Sequence, residues 1–179
     1  MADRAALRRV PTVSETAALH PLPPTARFIL RGTAVVTLAG AALGLVIDQT
    51  PCRASQAGVR AALWLGPDEY LLLAADAEAR ALALALEQAL DGAPHSLVDV
   101  SHRQTGLEVS GPQAADILNS GCPLALDLAA FPVGMCTRTA LAKAEIVLWR
   151  TAPEVFRIEV WRSFTDYVAR FLDEAVRDV

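Results

Sequence analysis

Asp99, Ser101 and His102 stand close together in the stretch VDVSHRQTGLEVSG, residues 98–111. A carboxylate, a hydroxyl and an imidazole are the parts of a nucleophilic hydrolase. In an extended chain alternate side chains face opposite ways, so Asp99 and Ser101 would share one face and His102 the other. A serine and a histidine adjacent in sequence cannot easily make the nucleophile-to-base hydrogen bond of a triad. No G-x-S-x-G elbow surrounds the serine. His95, the other nearby imidazole, follows Pro94 in an expected loop. The pattern fits better the end of a strand, where Asp and Ser side chains satisfy backbone groups at a turn.

Other chemistries find less support. GLEVSGPQAAD, residues 106–116, has no Lys-Ser/Thr to make a phosphate loop. The three histidines are scattered, and neither H-x-x-x-H nor C-x-x-C occurs. Cys52, Cys122 and Cys136 have no close-paired spacing and suit reduced, buried thiols. The acidic pairs Asp68-Glu69 and Asp173-Glu174 read as a charged turn and a wet helix face.

The chain has 179 residues, a formal charge of -4 and no cluster of basic residues, so neither nucleic acid nor an anionic membrane is an expected partner. Its apolar fraction, 53%, is high. Either alanine and leucine enrichment accounts for this, or a partner covers part of the apolar surface. The longest apolar stretch, AVVTLAGAALGLVI at residues 34–47, is shorter than the roughly 20 residues of a membrane span and reads as core. MADRAALRRVPTVSET carries no apolar run of a secretory leader, and the expected location is cytoplasmic.

The elements that would position these residues are legible in outline. Residues 1–24 read as an extended arm, because Pro21, Pro23 and Pro24 oppose helix and central strand alike. The arm would lie over the surface or on a partner, with His20 exposed. RFILRG, LVID, the two runs around Gly66-Pro67, TGLEVSG, MCTRTALAKAEIVLWR and VFRIEVW read as strands, and QTPCRASQAG and CPLALDLAAFPVG as loops. Helices are expected over TAVVTLAGAALG, over DAEARALALALEQAL with Asp76 as its cap, over PQAADILNS and over SFTDYVARFLDEAV. In the last, Ser163 and Asp166 approximate a capping box. Phe164, Tyr167, Val168, Phe171, Leu172 and Ala175 form one apolar stripe against a wet face of Asp166, Arg170, Asp173 and Arg177.

The two halves also resemble each other. Gly32 falls on Gly111 and Leu38 on Ile117, while Trp64 falls on Trp149 and Glu69 on Glu154. The offset is 79 at the first match (111 − 32) and 85 at the second (149 − 64), implying six inserted residues. Chance similarity between two apolar stretches is the alternative. A true repeat predicts an α+β chain of two β-α-β-β-α lobes with mixed or antiparallel sheets. Their expected bounds are residues 25–92 and 93–179, forming one compact domain after the arm of residues 1–24.

LVDVSHRQTGLEVSGPQAADILNSGCPLALDLAAFPVGMCTRTALAKAEIVLWR followed by FRIEVWRSFTDYVARFLDEA resembles the gamma subunit of heterotetrameric sarcosine oxidase. DVSHRQ, GCPL, FPVG, RT-LAK and EVWRSF occur in order, and the resemblance covers roughly residues 26–177. The wider relatives are the folate-binding aminomethyltransferases, which implies their folate-binding-domain fold. Those enzymes carry a catalytic aspartate in a later segment. The corresponding stretch here, CTRTALAKAEIVLWR, has Glu145 as its only acid.

The resemblance implies a non-catalytic assembly subunit of a complex that oxidatively demethylates sarcosine to glycine. The one-carbon product would be formaldehyde or 5,10-methylenetetrahydrofolate, with hydrogen peroxide from oxygen. Flavins, NAD, zinc and folate are expected on partner subunits, and no cofactor, catalytic or metal site in this chain. The expected partners are the alpha subunit mainly, with beta and delta. A stand-alone folate-binding transferase is the alternative. Trp149-Arg150 and Trp161-Arg162 end two expected strands. If the tryptophans pack inward, Arg150 and Arg162 face outward. With Arg138 and Lys143 they are the expected contacts to the alpha subunit.

Overall fold

The computed structural model describes residues 12–178. In chain order the elements are β1 (Thr12–Val13), β2 (Ala18–Pro21), β3 (Thr25–Arg31), α1 (Val36–Leu43), β4 (Ala54–Ala57), β5 (Arg60–Gly66) and β6 (Glu69–Ala75). A 3₁₀ turn, Asp76–Glu78, leads into α2 (Ala79–Leu90), followed by β7 (Ser96–Asp99) and β8 (Gln104–Ser110). Then come α3 (Ala114–Asn119), β9 (Cys136–Leu141), β10 (Ala144–Ala152), β11 (Val155–Trp161), a second 3₁₀ turn, Arg162–Phe164, and α4 (Thr165–Arg177).

The described residues divide into two units, residues 24–102 and residues 12–23 with 103–178. In the first, five strands run in the order β4-β5-β6-β3-β7, and all their pairings are antiparallel. Phe28, Leu30, Tyr70 and Leu72 on this sheet pack with Val35 and Ala39 of the α1 region and with Leu82, Leu86 and Leu90 of α2. The spacing of four along α2 puts these leucines on one stripe, and Gly92 (φ 75) ends the helix.

In the second unit the order is β1-β2-β8-β11-β10-β9, again antiparallel. Leu107, Val109, Ile146, Leu148, Phe156 and Ile158 pack against Ile117 and Leu118 of α3 and Val168, Leu172 and Val176 of α4. Each unit therefore has a core of its own.

The repeat is real, but its second offset is 86. Tyr70 stands opposite Leu30 as Phe156 stands opposite Val109, and 156 − 70 = 86 while 109 − 30 = 79. Leu82, Leu86 and Leu90 accordingly match Val168, Leu172 and Val176. Seven residues are inserted, and they divide into two sites. β4 and β9 match at an offset of 82, because Ala54 stands opposite Leu63 as Cys136 stands opposite Trp149. Three residues thus lengthen the connection before β9, and four extend the β9–β10 hairpin.

Gly32 and Gly111 occupy equivalent strand-to-helix corners. Their φ angles are 130° and 115°, and their N–H groups donate to the carbonyls of Asp68 and Glu154, each at 2.9 Å. A side chain is excluded at Gly111 on two counts, the positive φ and a Cβ that would lie 2.4 Å from the Thr16 carbonyl oxygen.

Several expectations change. Residues 12–23 are not a free arm: β2 pairs with β8, and Ala17 and Leu19 are buried in the second core. Pro21 is the last residue of β2, and among the described residues β1 pairs only with Ala18 and Leu19, so no described neighbour takes a ladder bond from it on that side. His20 is half-buried opposite Glu108, not exposed. Residues 1–11 of the expected arm lie outside the described residues. β7 pairs with β3, so the boundary falls after His102 and not after Gly92.

LVID is not a strand. Leu45 donates its N–H to the Gly40 carbonyl, and the chain passes so close to α1 that a Cβ on Gly40 would lie 2.7 Å from the Leu45 oxygen. QTPCRASQAG, read as a loop, contains β4. Asp76 opens the 3₁₀ turn and not α2, and neither α2 nor α4 has a side-chain cap bond at its N-cap residue.

Candidate functional site

Asp99 is the last residue of β7, and its side chain is engaged by the turn that follows. One carboxylate oxygen accepts the Ser101 N–H at 2.8 Å and the Ser101 hydroxyl at 2.5 Å. The Ser101 Oγ accepts the Arg27 N–H at 2.9 Å, and the Val100 N–H donates to the Arg27 carbonyl at 2.9 Å. This is an Asx turn whose serine replaces the next rung of the β3–β7 ladder. Ser101 is buried, while His102 is exposed in the turn. The hydroxyl that a histidine base would have to activate is held by Asp99 and Arg27. In the second unit the Leu22 N–H donates to the Gly106 carbonyl at the equivalent place, since 106 − 27 = 79.

Asp99 and Ser101 are thus brought together by the strand end, as their spacing predicts, and the pair closes a fold element. Cys122 and Cys136 are buried, and Cys52 is half-buried. Among the described residues no group of three or more His, Cys, Asp or Glu is placed to hold a metal ion.

The four expected partner contacts separate. Arg138 lies exposed on β9, at the edge of the sheet, opposite Val147. Lys143 is exposed at the tip of the β9–β10 hairpin, where its backbone N–H reaches the Tyr167 hydroxyl at 3.4 Å. Arg162 is exposed and opens the second 3₁₀ turn, its N–H donating to the Arg103 carbonyl at 2.8 Å.

Arg150 is the correction: it is 4% exposed. Its Nη1 donates to the carbonyls of Leu126 (2.9 Å) and Phe131 (2.7 Å), and its Nε and Nη2 both donate to that of Pro153 (3.0 and 2.6 Å). The guanidinium also lies 4.5 Å from the Phe156 ring centroid. Burial lowers its pKa, with the Asp127 charge acting in the opposite direction. Arg150 shares the face of β10 that carries Ile146 and Leu148 into the second core, and Trp149 on the opposite face is buried as well. Arg150 instead fastens the long connection before β9 to the β10–β11 turn. Trp64, its register counterpart in the first unit, packs half-buried against the first core.

The tryptophans separate as well. Trp149 is buried, but Trp161 is 44% exposed, with the Arg103 guanidinium 5.2 Å above its ring. The α4 stripe splits in two. Val168, Leu172 and Val176 face the core, while Phe164 and Tyr167 are exposed and Phe171 is half-buried. Three- and four-residue spacings link both sets, so pattern alone merged them. Beside α4 runs an open groove lined by Ser163, Asp166, Tyr167, Arg170, Phe171 and Glu174.

Comparison with known proteins converges on one family. Residues 32–178 match the model of the sarcosine oxidase, gamma subunit family. The chain is 38% identical over 118 residues to a sarcosine oxidase subunit gamma of Corynebacterium sp. (strain P-1), covering 66% of this chain and 57% of that relative. It is 36% identical over 148 residues to the Arthrobacter sp subunit, covering 82% and 72%. The chain thus spans little more than half the length of the Corynebacterium relative.

A chain of the heterotetrameric sarcosine oxidase from Corynebacterium sp. U-96, solved in complex with pyrrole 2-carboxylate, superposes with a TM-score of 0.86 at 31% identity, over 94% of this chain and 88% of that one. Glycine cleavage system aminomethyltransferase T from Bartonella henselae superposes with a TM-score of 0.66 at 17% identity, over 91% of this chain and 49% of that one, a likeness of fold. Because the family model matches residues 32–178 and the Arthrobacter subunit is 36% identical over most of both chains, the chain belongs to the sarcosine oxidase gamma subunit family.

Proposed function

We propose that the chain is a non-catalytic gamma subunit that helps assemble a heterotetrameric oxidase converting sarcosine to glycine. Formaldehyde or 5,10-methylenetetrahydrofolate would carry the one-carbon unit, and hydrogen peroxide would form from oxygen. Family membership and the likeness to a chain of a heterotetrameric sarcosine oxidase support the assembly. The observation that carries the non-catalytic part is the engagement of Ser101 with the Arg27 backbone and with Asp99. Glu145, the acid left in the stretch matching the transferases' catalytic segment, is exposed near the β9–β10 hairpin tip. A general acid or base needs a fixed position at its substrate.

In this reading flavins, NAD, zinc and folate belong to partner subunits. Alpha is the principal partner, with beta and delta in the complex, and the assembly works in the cytoplasm. No described helix is long and apolar enough to cross a membrane. The test co-expresses the tagged chain with the other subunits. Recovery of one complex, together with no saturable tetrahydrofolate binding by the isolated chain in calorimetry, is the expected result. Micromolar folate binding by the isolated chain would favour the transferase alternative and overturn the non-catalytic reading.

A further inference from the structure

The internal repeat provides a control for the surface of the second unit. Trp161, Phe164, Tyr167 and Phe171 follow one another along the end of β11, the second 3₁₀ turn and α4. At the offset of 86 their counterparts are Ala75, Glu78, Ala81 and Ala85. The first unit is built without large apolar groups at these positions, so the architecture does not require them. Yet four of the chain's ten aromatic residues stand there. Trp161, Phe164 and Tyr167 are 44%, 42% and 39% exposed.

A second departure from the repeat falls at the same place. The four residues that lengthen the β9–β10 hairpin bring Lys143 to the Tyr167 hydroxyl. They also bring the Ala142 N–H to the Gly121 carbonyl at 2.9 Å. A Cβ on Gly121 would in turn lie 2.6 Å from the Phe171 ring, so the absence of a side chain there lets the ring approach the backbone closely. Exposed aromatics grouped with arginine are the composition of an interface centre.

We propose that this aromatic face is the docking surface for a larger subunit of the oxidase, one presenting an apolar depression rimmed by carboxylates. The inference rests on the multi-subunit reading above. Charge selects the occupant. Exposed Arg103, Lys143, Arg162 and Arg170 accompany the face, against Asp166 and Glu174, in a chain of net charge -4. Two copies meeting through it would oppose like charges, whereas a carboxylate-bearing partner would not. With about two fifths of each of three aromatic residues open, the face offers roughly 250 Å² of surface. That suits the centre of an interface of about 800 Å² per partner.

The experiment co-expresses the tagged chain with the remaining oxidase subunits in three forms: wild type, F164S/Y167S and R170E. An L84A/V59A chain, altered at exposed apolar positions of the first unit, is the control. Circular dichroism and thermal unfolding establish that each variant folds. The expected result is at least a tenfold loss of co-purifying subunits for F164S/Y167S, a smaller but clear loss for R170E and none for the control. Undiminished recovery with folded F164S/Y167S overturns the proposal, as does an equal loss for the control. Undiminished recovery with R170E overturns the carboxylate rim. Self-association of the wild-type chain that F164S/Y167S abolishes would assign the face to a second copy. A gain of binding on deleting residues 1–11 would assign it to the chain's own first residues. Failure of the wild-type chain to recover any subunit would instead overturn the assembly reading itself.

Discussion

Replacing Arg150 by alanine tests whether one buried guanidinium holds the inserted connection. Its four hydrogen bonds end on three carbonyls, those of Leu126, Phe131 and Pro153. A hydrogen bond from a charged donor contributes about 1.5–3 kcal/mol, and a buried acceptor left without a donor costs about 1–3 kcal/mol. The Phe156 contact adds about 0.5–1 kcal/mol. Removing the charge also removes its desolvation cost, which offsets part of this sum. Water can reach the Pro153 side, next to half-buried Ala152 and exposed Glu154, more easily than the Leu126 side. The expected loss for R150A is therefore about 3–5 kcal/mol. Lysine retains the charge but not the planar fork, so R150K should fall between, at about 2 kcal/mol. Urea unfolding followed by the fluorescence of neighbouring Trp149 measures both. A loss below about 1 kcal/mol for R150A would refute the reasoning, since the buried Leu126 and Phe131 carbonyls cannot lose their donor that cheaply.

The Asx turn makes opposite demands on its two neighbours: S101A should cost about 1–2 kcal/mol in urea unfolding, because the Arg27 N–H loses its acceptor, whereas H102A should leave stability within about 0.5 kcal/mol and turnover of the assembled oxidase unchanged. Gly111→Ala should destabilise by about 3 kcal/mol or more, and by more than Gly32→Ala. The added Cβ meets the Thr16 backbone at 2.4 Å in the first case and, nearest, the Val35 side chain at 3.1 Å in the second, so the reverse ranking in thermal unfolding would contradict the geometry. Burial raises the Tyr70 phenol pKa, with the Asp48 charge adding to it. The unfolded chain then ionises first, near pH 10. Stability attached to the neutral phenol is intact below that pH and is lost as pH rises toward the folded-state pKa. Y70F should flatten the alkaline decline of the urea midpoint, and an identical decline in wild type and Y70F would count against it.

Much of the architecture is local and therefore legible. The Gly66-Pro67 hairpin, the leucine stripe of α2, the corner glycines Gly32 and Gly111 and the turn-forming pair Asp99 and Ser101 all follow from residue type and spacing. Letter matching shows six inserted residues and not seven, because aligning Trp64 with Trp149 is one residue out. Strand register shows that Trp64 corresponds to Arg150, and a slip of one residue exchanges the faces of a strand.

What required the tertiary structure is everything that depends on which strand lies beside which. The pairing of β2 with β8 joins residues some ninety positions apart, and no local pattern encodes it. Alternation along β10 says that Trp149 and Arg150 point to opposite sides. It does not say that both faces of β10 are covered, so that both side chains are buried. Likewise the period of α4 permits a single broad apolar stripe, and only the position of the sheet decides that Val168 faces the core while Phe164 and Tyr167 face outward. Spacing along the chain determines which side chains share a face. The neighbours brought up by long-range pairing determine whether that face meets protein or water.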